Sequence, residues 1–312
     1  MNIKEIMASS LLPRRELEML LAFILGQTRE HLLTHPEETI TPAQRRRFYV
    51  LAERRLAGEP IAYLNGEKEF YGLNFQVNHN VLVPRPETEL IIDLVIDQIQ
   101  EERLIPAKPL TIIDIGTGSG AIIITLAQEI KKQWPSLFAD SHFYATDISA
   151  PALKIARKNA RQQGLFTLTN GQRANQLKFY PGDLLEALTR SALFKSSRRK
   201  INPTEVIITA NLPYLTPGQI KASPTIQAEP RLALDGGRDG LKYYRRLFRQ
   251  IKSQSLFGTI YCEIDPTQVR LFKKSLLPIL PSATSRVYQD LNRQNRLIRI
   301  QWPKPKNKTP VT

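Results

Sequence analysis

Cysteine is almost missing: Cys262 stands alone among 312 residues. One thiol cannot close an internal disulfide, which fits a reducing compartment. Histidine is nearly as scarce. His31, His35, His79 and His142 are scattered without ligand spacing, and Cys262 gives them no partner, so no metal site is expected. No run of 18 or more apolar residues occurs, which excludes a membrane-spanning helix. The N-terminal stretch carries an acid as early as Glu5 and lacks a continuous apolar segment, so no secretory leader is expected and the chain is assigned to the cytoplasm. Negative charge is also in deficit, with 29 Asp and Glu against 44 Lys and Arg.

The resulting net charge of +15 favours anionic partners and speeds encounter with them. Apart from Arg45–Arg47, the Ser-Ser-Arg-Arg-Lys run at 196–200 and the Lys-Pro-Lys-Asn-Lys tail, the cations are spread along the chain. No aromatic-interleaved binding motif accompanies them, so direct nucleic-acid recognition is the less favoured reading. Hydrophobic residues make up 42%, enough for an ordinary buried core. At roughly 100–200 residues per domain, the length suits one large or two ordinary domains.

Residues 1–65 read as helices. Leu17, Leu20, Leu21, Ile24 and Leu25 recur at helical spacing. Thr41-Pro42 supplies an N-cap and a first-turn proline for a helix running to Leu56. Residues 66–84 switch to short aromatic and β-branched runs broken by Gly72 and Asn78–Asn80, which predicts a hairpin linker. From 85 to 304 helices and strands alternate, so the fold class is α/β: a mostly parallel sheet covered on both faces. The expected strands include LTIIDI, HFYATDI, EVIITA and GTIYCEI. Stretches 166–180 and 189–204 are long and polar and read as surface insertions, and 305–312 as a basic tail.

Two segments carry chemistry. In LTIIDIGTGSGAIIITLA a strand, a glycine turn and a helix follow one another. Gly116, Gly118 and Gly120, with Thr117 and Ser119 between them, let the backbone turn sharply and approach a ligand. The third glycine arrives one position early for a dinucleotide loop, which suits a cofactor presenting an amino-acid portion. Asp147, ending the next strand, can accept from ribose hydroxyls or cap the following helix. Asp183 can meet an adenine amino group, N-cap a short helix, or do both.

The second segment is Asn211-Leu212-Pro213-Tyr214, at the carboxyl end of another strand, where ligands of open α/β sheets gather. A planar amide nitrogen is a poor nucleophile because its lone pair is delocalised. Acceptors aimed at its two hydrogens orient it and stabilise the positive charge that grows during alkyl transfer. The Asn211 side-chain oxygen and the Leu212 carbonyl are the candidate acceptors. Pro213 forces Leu212 towards an extended conformation, and Tyr214 offers a flat face for stacking.

With these motifs in view, the chain resembles the HemK family of protein glutamine N5-methyltransferases, in particular the release factor enzymes. EPIAYLNGEKEFYGLNFQVNHNVLVPRPETELII is similar to the family's linker and its PRPETE signature, and DIGTGSGAI to its cofactor loop. AEPRLALDGGRDGL resembles the segment after its Asn-Pro-Pro-Tyr motif, and YCEIDPTQ and DLNRQNR its last strands. The resemblance implies a Rossmann-like methyltransferase domain behind a small helical domain that holds a protein substrate. It implies S-adenosylmethionine as cofactor, bound by Gly116 to Gly120, Asp147, Asp183, Leu184 and Asn211. It further implies methylation of the Gly-Gly-Gln glutamine of peptide chain release factors, held by Asn211, Leu212, Pro213 and Tyr214, with Arg85, Glu87 and Glu89 near the reaction centre. A monomer is expected. The family's proline is replaced by Leu212, which keeps the carbonyl but adds an N–H and frees φ. Three rivals share parts of this pattern: a ribosomal-protein glutamine methyltransferase, a nucleic-acid amino methyltransferase and a catalytically silent binding protein.

Overall fold

The computed structural model describes residues 1–102, 109–165, 168–169, 172–173, 177–189, 205–254 and 256–303. The expected insertion at 189–204 lies almost wholly outside these residues, as does the basic tail.

Five helices come first: α1 (Ile3–Ser9), α2 (Arg14–Leu25), α3 (Arg29–Thr34), α4 (Pro42–Leu56) and α5 (Ile61–Asn65). Helix α4 starts where the sequence places it, with Thr41 and Gln44 forming a reciprocal capping box around Pro42. Leu17, Leu20 and Leu21 enter one apolar cluster with Ile3, Phe48 and Leu64. Buried Glu18 sits beside that cluster as a carboxylate held by Arg14 (2.6 Å) and Arg29 (2.5 Å), whose hydrogen bonds lower its pKa.

The hairpin β1 (Glu67–Phe70) and β2 (Leu73–Gln76) follows, shorter than the aromatic run, with the chain from Val77 onward leaving it. Pro86 opens a single 3₁₀ turn before α6 (Glu89–Glu102). Then come β3 (Thr111–Ile115), α7 (Ala121–Gln133), α8 (Pro135–Asp140), β4 (His142–Asp147) and α9 (Ala150–Gln162). A small pair, β5 (Leu168–Thr169) and β6 (Gln172–Arg173), leads to β7 (Leu177–Pro181) and α10 (Glu186–Thr189). The chain closes through β8 (Glu205–Ala210), α11 (Pro217–Ala222), α12 (Lys242–Ser253), β9 (Phe257–Glu263), α13 (Val269–Leu276), β10 (Thr284–Gln289) and β11 (Asn295–Trp302).

Two expectations are corrected. Stretch 166–180 is not wholly an insertion, because Leu177 to Pro181 pairs in parallel with β4 as the edge strand β7. Buried Leu177 and Phe179 alternate with exposed Lys178, a period-two signal too short to stand out from its polar surroundings. Asp-Leu-Asn-Arg-Gln at 290–294 is the turn joining β10 to β11, not a strand, and Asp290 ties it by accepting from Asn292 and Gln294 amides.

The seven-stranded sheet runs β10-β11-β9-β8-β3-β4-β7. Strands β9, β8, β3, β4 and β7 are parallel, and β11 and β10 add an antiparallel edge. Chain order leaves β3 towards β4 and β7 on one side, then towards β8 and β9 on the other. The β3/β8 boundary is therefore the topological switch point, where strand ends diverge and leave a crevice. Alternate residues of β3 feed opposite cores, Ile112 against α6, α7 and α9, and Ile113 and Ile115 against α12 and α13.

Asn159 of α9 binds the hairpin to this sheet. Fully buried, it accepts from the Gln76 amide (2.7 Å) and donates to the carbonyls of Gln76 (3.0 Å) and Ser119 (2.8 Å). Asn159→Ala leaves these backbone groups unpaired and is expected to lower unfolding free energy by about 2–3 kcal/mol. Urea denaturation measures this; a loss below about 0.5 kcal/mol contradicts the assignment.

Candidate active site

The glycine turn leaves β3 and bends back under β4. Both the Gly116 and Thr117 amides donate to the Thr146 carbonyl at 2.9 Å. Gly116 has φ +71°, and a Cβ there would lie 2.9 Å from Leu212 Cδ2. The glycine loop and the tetrapeptide are thus in direct contact through Leu212.

Asp114, buried within β3, locks the same junction. It accepts from Thr117 Oγ1 in the loop (2.6 Å) and from Thr209 Oγ1 on β8 (2.8 Å). Burial pushes its pKa up to about 6, against the pull of these two hydroxyls. Asp147 closes the loop from the other side, taking the Gly118 amide on one oxygen (2.9 Å) and the Ser149 amide on the other (2.8 Å). Helix α9 is capped by Ser149, so Asp147 is not its cap. Burial raises the Asp147 pKa, opposed by the two amides. Each of its oxygens keeps a second lone pair for a ligand.

Gly116, Thr117, Gly118 and Ser119 line a cavity of about 230 Å³ together with Asp147, Asp183, Leu184, Asn211, Leu212 and Pro213. Gly120 is not among the lining residues; a Cβ there would meet Ile124 at 2.7 Å and Ala156 at 3.2 Å, so its backbone lies close against α7 and α9. Tyr214 belongs to a second cavity of about 450 Å³, which it shares with Arg85, Glu87, Glu229, Glu263 and Arg296. Arg85 lines both. Asp183 pairs with Arg246 of α12. Leu184 holds a left-handed φ of +52°, a strained conformation for leucine, at the cavity wall.

Asn211 stands where the cavities approach each other. Its Nδ2 donates to Thr88 Oγ1 (3.1 Å) and Glu263 Oε2 (2.9 Å), leaving Oδ1 without a protein partner among the described residues. The Leu212 carbonyl is likewise unengaged by them, while the Leu212 amide donates to Tyr244 OH at 3.4 Å. Tyr214 donates to Glu263 Oε1 (3.0 Å), and its carbonyl receives Gln268 Nε2 (2.7 Å). The two signature segments meet at Arg85–Glu229, and Glu229 also accepts from the Val83 amide (3.2 Å). Downstream, the Leu215 amide donates to Leu234 O (3.0 Å) and the Gly236 amide to Leu215 O (2.8 Å), so the AEPRLALDGG segment seats the tetrapeptide. Glu89 faces neither cavity and accepts from the Tyr71 amide (2.9 Å).

Sequence reasoning did not single out Thr88, Glu229, Tyr244 or Glu263, all drawn here by contacts across many residues. The PRPETE and AEPRLAL resemblance was the signal nearest to them.

Comparison with known proteins matches residues 6–66 to the PrmC N-terminal domain and residues 107–276 to a methyltransferase domain. A release factor glutamine methyltransferase of Moorella thermoacetica is 39% identical over 236 residues, covering 75% of this chain and 72% of that protein. One of Bacillus cereus is 34% identical over 284 residues, 90% of each chain. The chain belongs to the release factor glutamine methyltransferase family. Among solved structures, the hMettl16 catalytic domain in complex with a MAT2A 3'UTR hairpin aligns with a TM-score of 0.52 at 13% identity, covering 92% of both chains. That likeness concerns the fold alone. The enzyme is a methyltransferase with a Rossmann-like sheet, and no helix among its described residues is long and apolar enough to cross a membrane.

The raised pKa of Asp114 has a stability signature. Folding favours its protonated form, so its contribution is complete below the unfolded value of 3.8 and is lost as pH rises to about 6. Two pKa units correspond to about 3 kcal/mol. Asp114→Asn, which can still bridge Thr117 and Thr209, is expected to flatten the fall in stability between pH 4 and 6. Thermal melts across that range check this, and an unchanged slope counts against it.

Proposed function

We propose that the enzyme transfers a methyl group from S-adenosylmethionine to the side-chain amide nitrogen of the glutamine in the Gly-Gly-Gln motif of peptide chain release factors. One observation carries the reading. Asn211 has its amide nitrogen anchored and its oxygen unengaged, in the cavity that the glycine loop also lines. The Moorella and Bacillus relatives are release factor glutamine methyltransferases, which supports the same substrate.

The site fits the cofactor. Gly116 and Gly118 bring loop backbone to the cavity wall without side chains, Asp147 retains acceptor capacity, and exposed Ile148 and Leu232 give its rim an apolar surface. Gly116 to Ser119 would hold the amino-acid portion, Asp147 the ribose hydroxyls, and Asp183 with Leu184 the adenine edge. The bound cofactor supplies an activated methyl group.

The protein's own contribution is orientation and electrostatics. Asn211 Oδ1 and the Leu212 carbonyl accept the two amide hydrogens, turning the substrate nitrogen towards the methyl donor and stabilising its growing positive charge. The extended conformation that Pro213 favours at Leu212 helps aim that carbonyl. Tyr214, its hydroxyl bound to Glu263, lines the second cavity beside Arg85, which lines both.

Parallel incubations with labelled cofactor and purified release factor, ribosomal proteins or RNA test the assignment. Label is expected on the release factor glutamine, and exclusive labelling of RNA or a ribosomal protein overturns it. Asn211→Ala is expected to lower the methylation rate by roughly 10²–10³ while calorimetric binding of S-adenosylmethionine persists. Undiminished turnover by that variant removes Asn211 from the mechanism.

A further inference from the structure

Three hydrogen-bond donors converge on Glu263 at the end of β9. Thr88 Oγ1 (2.6 Å) and Asn211 Nδ2 (2.9 Å) reach Oε2, and the Tyr214 hydroxyl reaches Oε1 at 3.0 Å. Only 1% of the residue is exposed, although its carboxylate borders the second cavity. Burial raises its pKa and Glu87 adds to this, while the bonds from Thr88 and Tyr214 and the charge of Arg296 oppose it. The charge itself is costly to bury, and its neighbours compensate only because each turns a donor towards it.

An ionised carboxylate accepts and never donates. Asn211 can therefore face Glu263 only with its nitrogen, and the opposite end of the carboxamide must be the oxygen. A flipped carboxamide would set Oδ1 against a carboxylate oxygen and offer the cavity a donor. That donor would oppose the N–H groups of an incoming amide.

We propose that Glu263 is a positioning residue that fixes the polarity of Asn211, and that it is the reason position 211 carries a carboxamide and not a carboxylate. The inference rests on the reading that an amide is the methyl acceptor. Aspartate at 211 would set two carboxylates at hydrogen-bond distance, where both cannot remain ionised. With Glu263→Gln in the same chain, the introduced amide nitrogen can donate to the introduced carboxylate. An acceptor oxygen then faces the cavity again.

Methylation of release factor by the wild type, Asn211→Asp, Glu263→Gln and the double variant tests this, with melting temperature and S-adenosylmethionine binding recorded for each. Asn211→Asp is expected to lose about a hundredfold in kcat, with cofactor binding retained. The double variant is expected to recover at least about tenfold of that loss, a coupling that a merely structural role for Glu263 does not produce. A double variant no faster than Asn211→Asp, or an Asn211→Asp enzyme as fast as the wild type, overturns the proposal.

A second measurement needs neither a variant nor a substrate. In wild-type enzyme carrying ¹⁵N-asparagine, the side-chain amide hydrogens of Asn211 should exchange with water at least about tenfold more slowly than those of exposed Asn292. Equal exchange rates contradict the anchoring by Glu263. If wild-type enzyme labels no release factor, the functional reading fails while the exchange measurement still decides the orientation of Asn211.

Discussion

Parallel pairing of β3 with β8 is the constraint from which the site follows. Register sets Ile115 opposite Ala210, so the glycine turn and the Asn211 tetrapeptide leave the sheet side by side. Because chain order reverses at this boundary, the two segments diverge and open a crevice. Asp114 fastens them at their base by bonding to the loop and to β8 at once, and Leu212 packs against Gly116 above it. A shift of register would carry Asn211 away from the glycine loop.

Much of this was legible in the sequence because it is local. Glycine spacing, the strand before it and the helix after it lie within LTIIDIGTGSGAIIITLA. The Thr41-Pro42 cap and the alternation of helices and strands are equally short-range. The anchors were not legible, since they depend on pairs far apart in the chain. Asn211 and Glu263 are separated by 52 residues, Gln76 and Asn159 by 83, and Arg85 and Glu229 by 144. Glu263 in YCEID reads as an ordinary residue at a strand end, and only the fold reveals three donors around it. Strand β7 escaped notice for a different reason: two alternating apolar residues cannot be told from a loop by period alone.

Leu212, standing where the resemblance implies a proline, has a structural accommodation. The additional N–H is received by Tyr244, whose hydroxyl also donates within the junction formed by the Ala210 and Glu263 carbonyls. The side chain fills space above Gly116. What proline would supply through a fixed φ is thus partly replaced by packing and by the following Pro213. Buried charge is treated similarly throughout the site: Asp114, Asp147 and Glu263 each sit in surroundings that raise their pKa, and each takes donors from segments that meet only in the fold, the glycine loop, β8, the α9 cap, the turn before α6 and the tetrapeptide. The cost of burying them is offset only when those segments are correctly placed, which couples the shape of the site to folding.

A crystal structure of the enzyme with S-adenosylhomocysteine and a Gly-Gly-Gln peptide tests the central claim most directly. The account predicts the glutamine amide nitrogen about 3 Å from both Asn211 Oδ1 and the Leu212 carbonyl, with the cofactor's sulfur in the cavity lined by the glycine loop. A peptide amide bound away from Asn211, or a cofactor and peptide lodged in cavities that do not meet, would contradict it.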